Sequence, residues 1–452
     1  MMSSMKTIIS SKTTTEPEKS FLNIHISNPK TYFDSHSVQE SRLFPYYAGY
    51  SSTFASDILV SMNLEKDALI LDPWNGSGTT TNAAYKLGYN AIGFDLNPVM
   101  VVVAKANTLS PCDAASLPHL ARSLVAQALA RLPYDCTNDS LCVWMTSQSA
   151  AFLRALEVEI NHTLVSFRQY QPLKTNESIE KVSGLASFFY LALFRTCRRL
   201  LREFVPTNPT WTKKPESLQR RKRPSFKLIT ETFLDEVGVL SAKVFSLKRL
   251  NLEKESSISI KVGNAEAISL PDGCVDAVIC SPPYCTRIDY AVATAIELAV
   301  LGFSFREFDE LRRTLTGTST VASGITMPET HWGNTCLTFL QAVRNHPSKA
   351  SSTYYFKNHV QYFDSLARSI SELGRVLTKT GICVLVIQDS RYKDLHNDVP
   401  TIVCEMAENS GLCLSRREDF QSKRSMAGLN GKAKRYLPQR TATESVLCFR
   451  CA

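Results

Sequence analysis

Four consecutive residues, Ser281, Pro282, Pro283 and Tyr284, combine a hydroxyl group, a stiff backbone and an aromatic ring. They follow residues 275–280, which are apolar except for Asp276 and which the pattern predicts to be a buried strand. Adjacent prolines lack N–H donors and cannot continue a sheet, so the chain must leave the strand here in a rigid, extended loop. Such a loop holds its hydroxyl, carbonyls and ring in a fixed arrangement, which suits the binding of a flat, polar group.

A second set of chemically useful residues follows another predicted strand, nearer the start of the chain. That strand ends at Asp72, and the next turn, NGSG, places glycines at Gly76 and Gly78 before a predicted helix. Glycines let a ligand approach the backbone, and a helix N-terminus favours a negative group. Asp95 ends the following strand, where an acidic side chain suits the hydroxyls of a ribose. This spacing indicates a cofactor that contains adenosine.

The turn also indicates which cofactor is bound. A dinucleotide fingerprint carries a third glycine, and this sequence has Thr81 at that position. The turn also lacks the Gly-Lys-Ser/Thr ending of a nucleoside triphosphate loop. A cofactor with adenosine and no pyrophosphate fits better, and S-adenosyl-L-methionine is the common one. The alternative is a tight structural turn with an aspartate on the surface.

Together, the stretches DPWNGSGTT, FDLNP and SPPY resemble motifs of the DNA amino-methyltransferases, which form N4-methylcytosine or N6-methyladenine. In that family the first motif binds S-adenosyl-L-methionine, and a loop of the SPPY type holds the target amine. The resemblance covers about residues 45–110 and 255–450, and Trp74 stands where phenylalanine is usual. A serine at the first position of the loop favours N4 of cytosine over N6 of adenine.

The resemblance implies specific site residues. Ser281 Oγ and the Pro282 carbonyl would accept hydrogen bonds from the target amine, Pro283 would stiffen the loop, and Tyr284 would stack on a base flipped out of the duplex. The predicted cofactor-binding residues are Tyr50, Asp72, Pro73, Trp74, Gly76, Ser77, Gly78, Thr79, Asp95 and Asn264.

The order of strands and helices, read with the resemblance, predicts an α/β fold. We expect a Rossmann-like class I methyltransferase sheet, mostly parallel with one antiparallel strand near the C-terminus, interrupted by a helical insertion. Residues 1–20 are predicted to be a disordered tail. Residues 21–109 and 256–452 would be the cofactor-binding and catalytic parts of the methyltransferase domain, and residues 110–255 the insertion that recognises DNA.

The positive charge of the chain is concentrated in this insertion. Between Arg195 and Leu250 there are 14 lysines and arginines against 5 acidic residues, an excess equal to the formal net charge of +9 for the whole chain. Such a segment suits a polyanion, although a solvated charged face is the alternative. The predicted DNA-binding residues are Trp211, Lys213, Lys214, Arg220, Arg221, Lys222, Arg223, Lys432, Lys434 and Arg435.

The remaining features favour a reduced, cytoplasmic protein whose partner is double-stranded DNA. Among the 13 cysteines and 8 histidines the only C-x-x-C pair is Cys448 to Cys451, and it has no second pair at zinc spacing. No apolar stretch has the length of a signal-peptide core or a membrane span. A cognate restriction endonuclease is a further partner that the resemblance leaves open. An RNA amino-methyltransferase and a catalytically silent DNA-binding relative are the alternatives; a nicotinamide dehydrogenase would have no use for the SPPY loop.

Overall fold

The computed structural model describes residues 24–30, 43–44, 49–133, 136, 138–166, 169–206, 211–246, 256–285, 288–322, 324, 327–422 and 442–452. Within these residues the chain folds around a seven-stranded sheet with the order β3-β2-β1-β4-β5-β9-β8. The strands are β1 Leu69–Asp72, β2 Asn90–Asp95, β3 Ile258–Val262, β4 Val275–Cys280, β5 Leu377–Gln388, β8 Leu412–Ser422 and β9 Ala442–Cys451.

The predicted fold class is confirmed by the directions of the strands. Strands β1 to β5 run parallel to one another, and β9 is antiparallel to both β5 and β8. A hairpin of β6 Ser390–Tyr392 and β7 Leu395–Asn397 follows β5 as a separate two-stranded sheet. The sheet is therefore mostly parallel, with one antiparallel strand near the C-terminus.

Helices surround the sheet and form the insertion. They are α1 Ser52–Met62, α2 Thr79–Lys86, α3 Pro98–Ala106, α4 Leu117–Ala130, α5 Ser147–Leu164, α6 Asn176–Glu180, α7 Gly184–Leu200, α8 Phe226–Ser246, α9 Tyr290–Ala293, α10 Ala295–Val300, α11 Phe305–Thr314, α12 Asn334–Asn345, α13 Phe356–Val376 and α14 Val399–Asn409. None of the helices that the structure describes combines the length and the apolar character needed to cross a membrane.

Both faces of the sheet are buried, because alternate side chains of each strand enter different apolar clusters. Ile70 and Ile279 pack with α1 and α2 on one face, whereas Leu71 and Val278 pack with α13 and α14 on the other. Burial on both faces is typical of parallel sheets. The carboxyl ends of the strands are then the place where loops can form a binding site.

The helical insertion shares a core with the part of the chain that precedes it. Phe152 of α5, Phe194 of α7 and Phe233 of α8 are fully buried in one cluster with Val101 of α3 and Ile296 of α10. The helical character predicted for the insertion is confirmed. Because the cluster includes α3, which directly follows the FDLNP motif, the insertion is packed against the part of the chain predicted to bind the cofactor.

Two helix starts fix the backbone near the predicted cofactor motif. Gly78 precedes α2 with φ +82°, and a Cβ there would lie 3.0 Å from Cβ of Ala104, so glycine permits close packing of α2 on α3. Asn97 caps α3, its side chain accepting a hydrogen bond from the Val99 amide at 3.1 Å, with Pro98 in the first turn. The carboxyl end of each motif, NGSG and FDLNP, is thereby fixed at the start of a helix.

A substitution at Gly93 of β2 is expected to disturb the turn after β1. A Cβ at Gly93 would lie 2.4 Å from Cγ of Asn75, and overpacking of this kind costs roughly 1–3 kcal/mol. The Gly93→Ala protein should lose about that much free energy of unfolding, measured by urea denaturation. The control is Gly238→Ala: this exposed position in α8 has no atom within 4 Å of an added Cβ, so the helix should gain about 0.5–1 kcal/mol. Equal midpoints for the two variants would contradict this reading of the Gly93 contact.

Candidate active site

A cleft opens at the carboxyl ends of β1, β2 and β4. It encloses about 1130 Å³, including its open mouth. The predicted residues that line it are Tyr50, Asp72, Pro73, Trp74, Gly76, Ser77, Thr79, Asp95, Ser281 and Pro283. The glycine-rich turn and two residues of the SPPY loop therefore face the same space, although Gly76 and Ser281 are 205 positions apart in the chain.

Four of the predicted site residues do not line the cleft. Gly78 packs against α3, and the Asn264 side chain accepts a hydrogen bond from the Glu266 amide at 3.0 Å, within a turn. Pro282 and Tyr284 are buried. Their roles in binding stay predictions. Residues next to them in the chain line the cleft instead: Ser77, Thr79, Gly263, Ala265, Ser281 and Pro283.

Asp72 places a buried carboxyl group at the end of β1. Its Oδ1 accepts a hydrogen bond from the Trp74 amide at 3.1 Å, and its side chain is 4% exposed. Burial raises the pKa of Asp72 to about 7. Hydrogen bonds from Thr80 and from the Trp74 amide oppose this increase, and the nearby carboxylate of Asp95 makes the smallest contribution to it. A positive charge beside the buried carboxyl group of Asp72 would stabilise its ionised form.

Asp95 is held in a fixed orientation at the end of β2. Its Oδ2 accepts a hydrogen bond from the Gly76 amide at 2.9 Å, and its Oδ1 accepts one from the Asn97 amide at 2.8 Å. Burial raises the pKa of Asp95 to about 6, against the effect of these two amides. The two aspartates thus stand on adjacent strands, each anchored by the backbone of the loop that follows its strand.

Tyr50 ties the segment before α1 to the end of β4. Its hydroxyl shares a short hydrogen bond with Thr80 Oγ1 and donates to the Ile279 carbonyl at 3.0 Å. Burial raises the pKa of Tyr50 well above its usual value, and the charge of Asp72 acts in the same direction. Tyr50 is therefore a neutral hydrogen-bonding wall of the cleft.

The hydroxyl group of Ser281 donates its proton to a hydrogen bond with the backbone of a neighbouring strand. Its Oγ donates to the carbonyl of Val386 on the adjacent strand β5 at 2.8 Å, and the residue is half-buried at the cleft wall. A hydroxyl that donates to a carbonyl keeps lone pairs for accepting other hydrogen bonds. Ser281 Oγ is consequently oriented as an acceptor.

The rest of the SPPY loop is held from two sides. The Pro283 carbonyl accepts a hydrogen bond from the Tyr362 hydroxyl at 2.9 Å, and the Tyr284 amide donates to the Tyr290 hydroxyl at 3.2 Å. Burial raises the pKa of both Tyr290 and Tyr362 above their usual values, so both phenols remain neutral. Hydrogen bonds to its backbone therefore add to the stiffness that the two prolines give the loop.

Several residues of the cleft were not predicted from the sequence. They are Phe44, Asn75, Leu96, Asn97, Met100, Arg198, Gly263, Ala265, Ile288, Tyr290, Ala293, Thr294, Leu315 and Thr316. Asn75, Leu96 and Asn97 lie inside the quoted motifs, so their positions close to Asp72 and Asp95 in the sequence were a signal for them. The others come from segments without a motif, and Arg198 comes from the insertion.

Arg198 of α7 connects the insertion to the cleft. Its guanidinium pairs with the buried Glu297, donates to the Ala293 carbonyl at 2.9 Å and lies 4.9 Å from the centre of the Phe44 ring. One turn earlier, Arg195 donates to the carbonyl of Leu43 at 2.8 Å. Two arginines of the insertion therefore hold the chain segment that closes one side of the cleft.

The predicted DNA-binding residues are separated by the structure into groups. Lys432, Lys434 and Arg435 lie outside the described residues. Lys213, Lys214, Arg220 and Arg223 are exposed, Arg221 is half-buried, and Trp211 is 49% exposed. Lys222 is also half-buried, and its ammonium forms an ion pair with Glu203 at 2.6 Å.

The segment that contains Trp211 is attached to the wall of the cleft. The Thr212 amide donates to the Val292 carbonyl at 3.3 Å, and Ala293, the next residue of α9, lines the cleft. Lys214 Nζ lies 5.1 Å from the ring centre of Phe305, a side chain that is 61% exposed. Exposed aromatic and cationic side chains thus lie beside the helix that follows the SPPY loop. Among the described residues, no group of three or more His, Cys, Asp or Glu side chains could hold a metal ion.

Comparison with known proteins agrees with this geometry. Residues 11–106 match the model of a DNA methylase family of N6 and N4 methyltransferases. Over 294 residues the chain is 25% identical to the Type II methyltransferase M.BsoBI of Geobacillus stearothermophilus. That alignment covers 59% of this chain and 54% of the relative, so the chain spans about half the length of the curated protein it matches. In these sequence matches and in the order of its sheet, the chain is similar to the DNA amino-methyltransferases.

Proposed function

We propose that this protein transfers a methyl group from S-adenosyl-L-methionine to the exocyclic amine of a base in DNA, with N4 of cytosine favoured over N6 of adenine. The observation that carries the proposal is the shared cleft. Ser281 and Pro283 line the same space as Asp72, Gly76 and Asp95. A cofactor and a target amine bound to these two sets of residues would be neighbours.

The cleft suits S-adenosyl-L-methionine in charge. This cofactor, when bound, supplies an electrophilic methyl group on a positively charged sulfonium. The buried carboxyl group of Asp72 would be stabilised as a carboxylate by a cation. Asp95, fixed by the amides of Gly76 and Asn97, presents acceptors for ribose hydroxyls, as the sequence predicts.

The SPPY loop suits activation of the amine. The lone pair of an exocyclic amine is conjugated with the ring, so the nitrogen is a poor nucleophile until its N–H groups donate to fixed acceptors. Ser281 Oγ is such an acceptor, because its proton is directed at the Val386 carbonyl. The loop is already rigid through Tyr290 and Tyr362, so little entropy is lost when the base binds.

Access to this loop requires a base outside the duplex, since an amine within the stack cannot reach the wall of a cleft. Serine at position 281 is neutral and accepts from an amine as an aspartate would. The preference for cytosine rests on the resemblance of SPPY to the loop of N4-cytosine enzymes. A cognate restriction endonuclease remains a prediction of that resemblance alone.

The basic part of the insertion is the proposed phosphate-binding surface. Thr212 attaches this segment to α9, which borders the cleft, so phosphates bound by it would lie near the flipped base. Lysine and arginine contacts to phosphates make affinity fall steeply with salt. Lys222 is the weakest member of the predicted set, because Glu203 already pairs with it.

We expect the Arg220→Ala, Arg223→Ala double variant to bind DNA about 10-fold more weakly at low salt, with a shallower salt dependence by roughly two phosphate contacts. Both side chains are exposed. The charge-matched control is Lys66→Ala, Lys379→Ala; these exposed lysines lie at the amino ends of β1 and β5, opposite the cleft. DNA affinity is measured by fluorescence anisotropy and cofactor affinity by calorimetry. Equal DNA affinities for the two double variants, or loss of cofactor binding in the first, would refute the assignment.

The function itself is tested by transfer of labelled methyl groups to duplex DNA and to total RNA. We expect incorporation into DNA, and nucleoside analysis of the product should show N4-methylcytosine. N6-methyladenine would correct the base. Labelled RNA with unlabelled DNA would establish the RNA amino-methyltransferase alternative, which shares both core motifs, and wild-type inactivity on every substrate would favour a silent relative.

A further inference from the structure

A lysine from the N-terminal segment reaches the aromatic residue of the SPPY loop. Lys30 Nζ donates to the Tyr284 hydroxyl at 2.9 Å and to the Gly49 carbonyl at 2.6 Å, and it lies 5.7 Å from the centre of the Tyr284 ring. Tyr284 itself is 6% exposed. The hydroxyl end of the ring is therefore tethered by a cation that is 254 residues away in the sequence.

A buried carboxyl group stands behind this lysine. Glu444 of β9 is 1% exposed, and its Oε1 lies 3.4 Å from Lys30 Nζ. Burial raises the pKa of Glu444, and the charge of Lys30 acts against that effect. A buried carboxyl group costs stability unless it is paired, so the ion pair between Glu444 and Lys30 holds the ammonium against the sheet.

The backbone around Lys30 is also anchored. Ile24 is buried in the cluster of α1 and α2, and its carbonyl accepts a hydrogen bond from Arg416 of β8 at 2.7 Å. At the other end of the segment, the Pro29 carbonyl accepts from the Ser51 amide at 3.0 Å. The segment that carries Lys30 to Tyr284 is thus anchored at Ile24 and at Pro29.

We propose that Lys30, held by Glu444, is a positioning residue that sets the plane of the Tyr284 ring. The ring is 6% exposed and follows Ser281 and Pro283, which line the cleft, so a target base must uncover one face of the ring before it stacks there. This inference rests on the proposed function. Stacking fixes a base only as well as the ring itself is fixed, and the tether acts on the ring at the end farthest from its backbone. Because the amine must be placed against Ser281, a tilt of the base would separate it from that acceptor, and small misplacements of this kind cost rate.

The test compares Lys30→Ala, Tyr284→Phe and the double variant in methyl transfer to duplex DNA. Tyr284→Phe keeps the stacking ring and removes only the atom that Lys30 binds. We expect each single variant to lower kcat by about 10- to 100-fold with unchanged affinity for S-adenosyl-L-methionine, and the double variant to be no slower than the slower single one. Glu444→Gln, an isosteric change, should lower kcat in the wild-type background and add nothing to Lys30→Ala.

The control is Lys379→Ala, an exposed lysine at the opposite end of the sheet, which should match wild type. Losses that multiply in the double variant, a Lys30→Ala rate equal to that of the control, or a Lys30→Ala protein faster than wild type would each overturn the proposal; the last would mean that Lys30 covers Tyr284. A wild-type protein without activity on DNA or RNA would instead refute the proposed function. In that event, a double-mutant cycle on urea unfolding still reports whether Lys30 and Tyr284 are coupled.

Discussion

The Ser281→Ala protein is expected to bind S-adenosyl-L-methionine as wild type does and to transfer methyl groups on the order of 100-fold more slowly or worse, the scale of loss when one preorganised hydrogen-bonding group is removed from an active site. The reason lies in the direction of its hydroxyl. Ser281 Oγ donates to the Val386 carbonyl at 2.8 Å, so the lone pairs are what it offers to the cleft. Alanine removes this acceptor and leaves the target amine conjugated with its ring.

The measurement is single-turnover transfer from labelled cofactor to duplex DNA, with cofactor affinity determined separately by calorimetry. Ser371→Ala, at an exposed position of α13, is the matched control and should behave as wild type. Removal of the Ser281 hydroxyl also leaves the Val386 carbonyl with one hydrogen bond fewer, a modest cost of about 1 kcal/mol in unfolding. A Ser281→Ala protein with full activity would exclude this serine from amine activation.

The residues that follow the ends of parallel strands were accessible from the sequence. Asp72, Asp95 and Ser281 each come directly after a short apolar segment, and strands β1, β2 and β4 bring these ends to one edge. Pattern alone suffices for such residues, because parallel strands in one sheet share the direction in which their loops emerge. The glycine-rich turn and the SPPY loop could therefore be predicted to meet.

Residues delivered by distant packing were not accessible in this way. Arg198 enters the cleft because α7 packs on α3, and its partner Glu297 lies in a helix for which the sequence offered no motif. Lys30 reaches Tyr284 through a segment held by Arg416 and Ser51. Neither contact leaves a local pattern, since each depends on how separate elements pack together.

The contacts of Arg198 also change the interpretation of the insertion. The charge excess of the insertion suggested a surface for DNA. Two arginines of the insertion, Arg195 and Arg198, instead contact Leu43 and Phe44 beside the cleft. A charge count along the sequence cannot separate these from exposed arginines. The structure separates them: Lys213, Lys214, Arg220 and Arg223 are exposed, and the two arginines of this set are the ones chosen to test phosphate binding.

Affinity for S-adenosyl-L-methionine is expected to rise with pH between about 5.5 and 7.5. Burial raises the pKa of Asp72 to about 7 in the free protein, and a bound cation would favour its carboxylate and lower that pKa. The complex then holds fewer protons than the free protein in this interval, so binding strengthens as pH rises and weakens as pH falls. Proton release by one group changes Kd up to about tenfold per pH unit, giving a loss of roughly 10- to 30-fold at pH 5.5 relative to pH 7.5.

Calorimetry in buffers of different ionisation enthalpy should detect the proton released on binding near pH 6.5. Asp72→Asn removes the titrating group, so this variant should bind weakly at every pH with a flatter profile. Asp95, whose pKa burial raises to about 6, titrates lower in the same interval, and Asp95→Asn should therefore keep the component centred near pH 7. Tyr50 and Cys280 also face Asp72, but their pKa values are raised well above this range, so neither can produce the effect. A wild-type Kd that is constant from pH 5.5 to 7.5 would mean that Asp72 does not meet the positive charge of the cofactor.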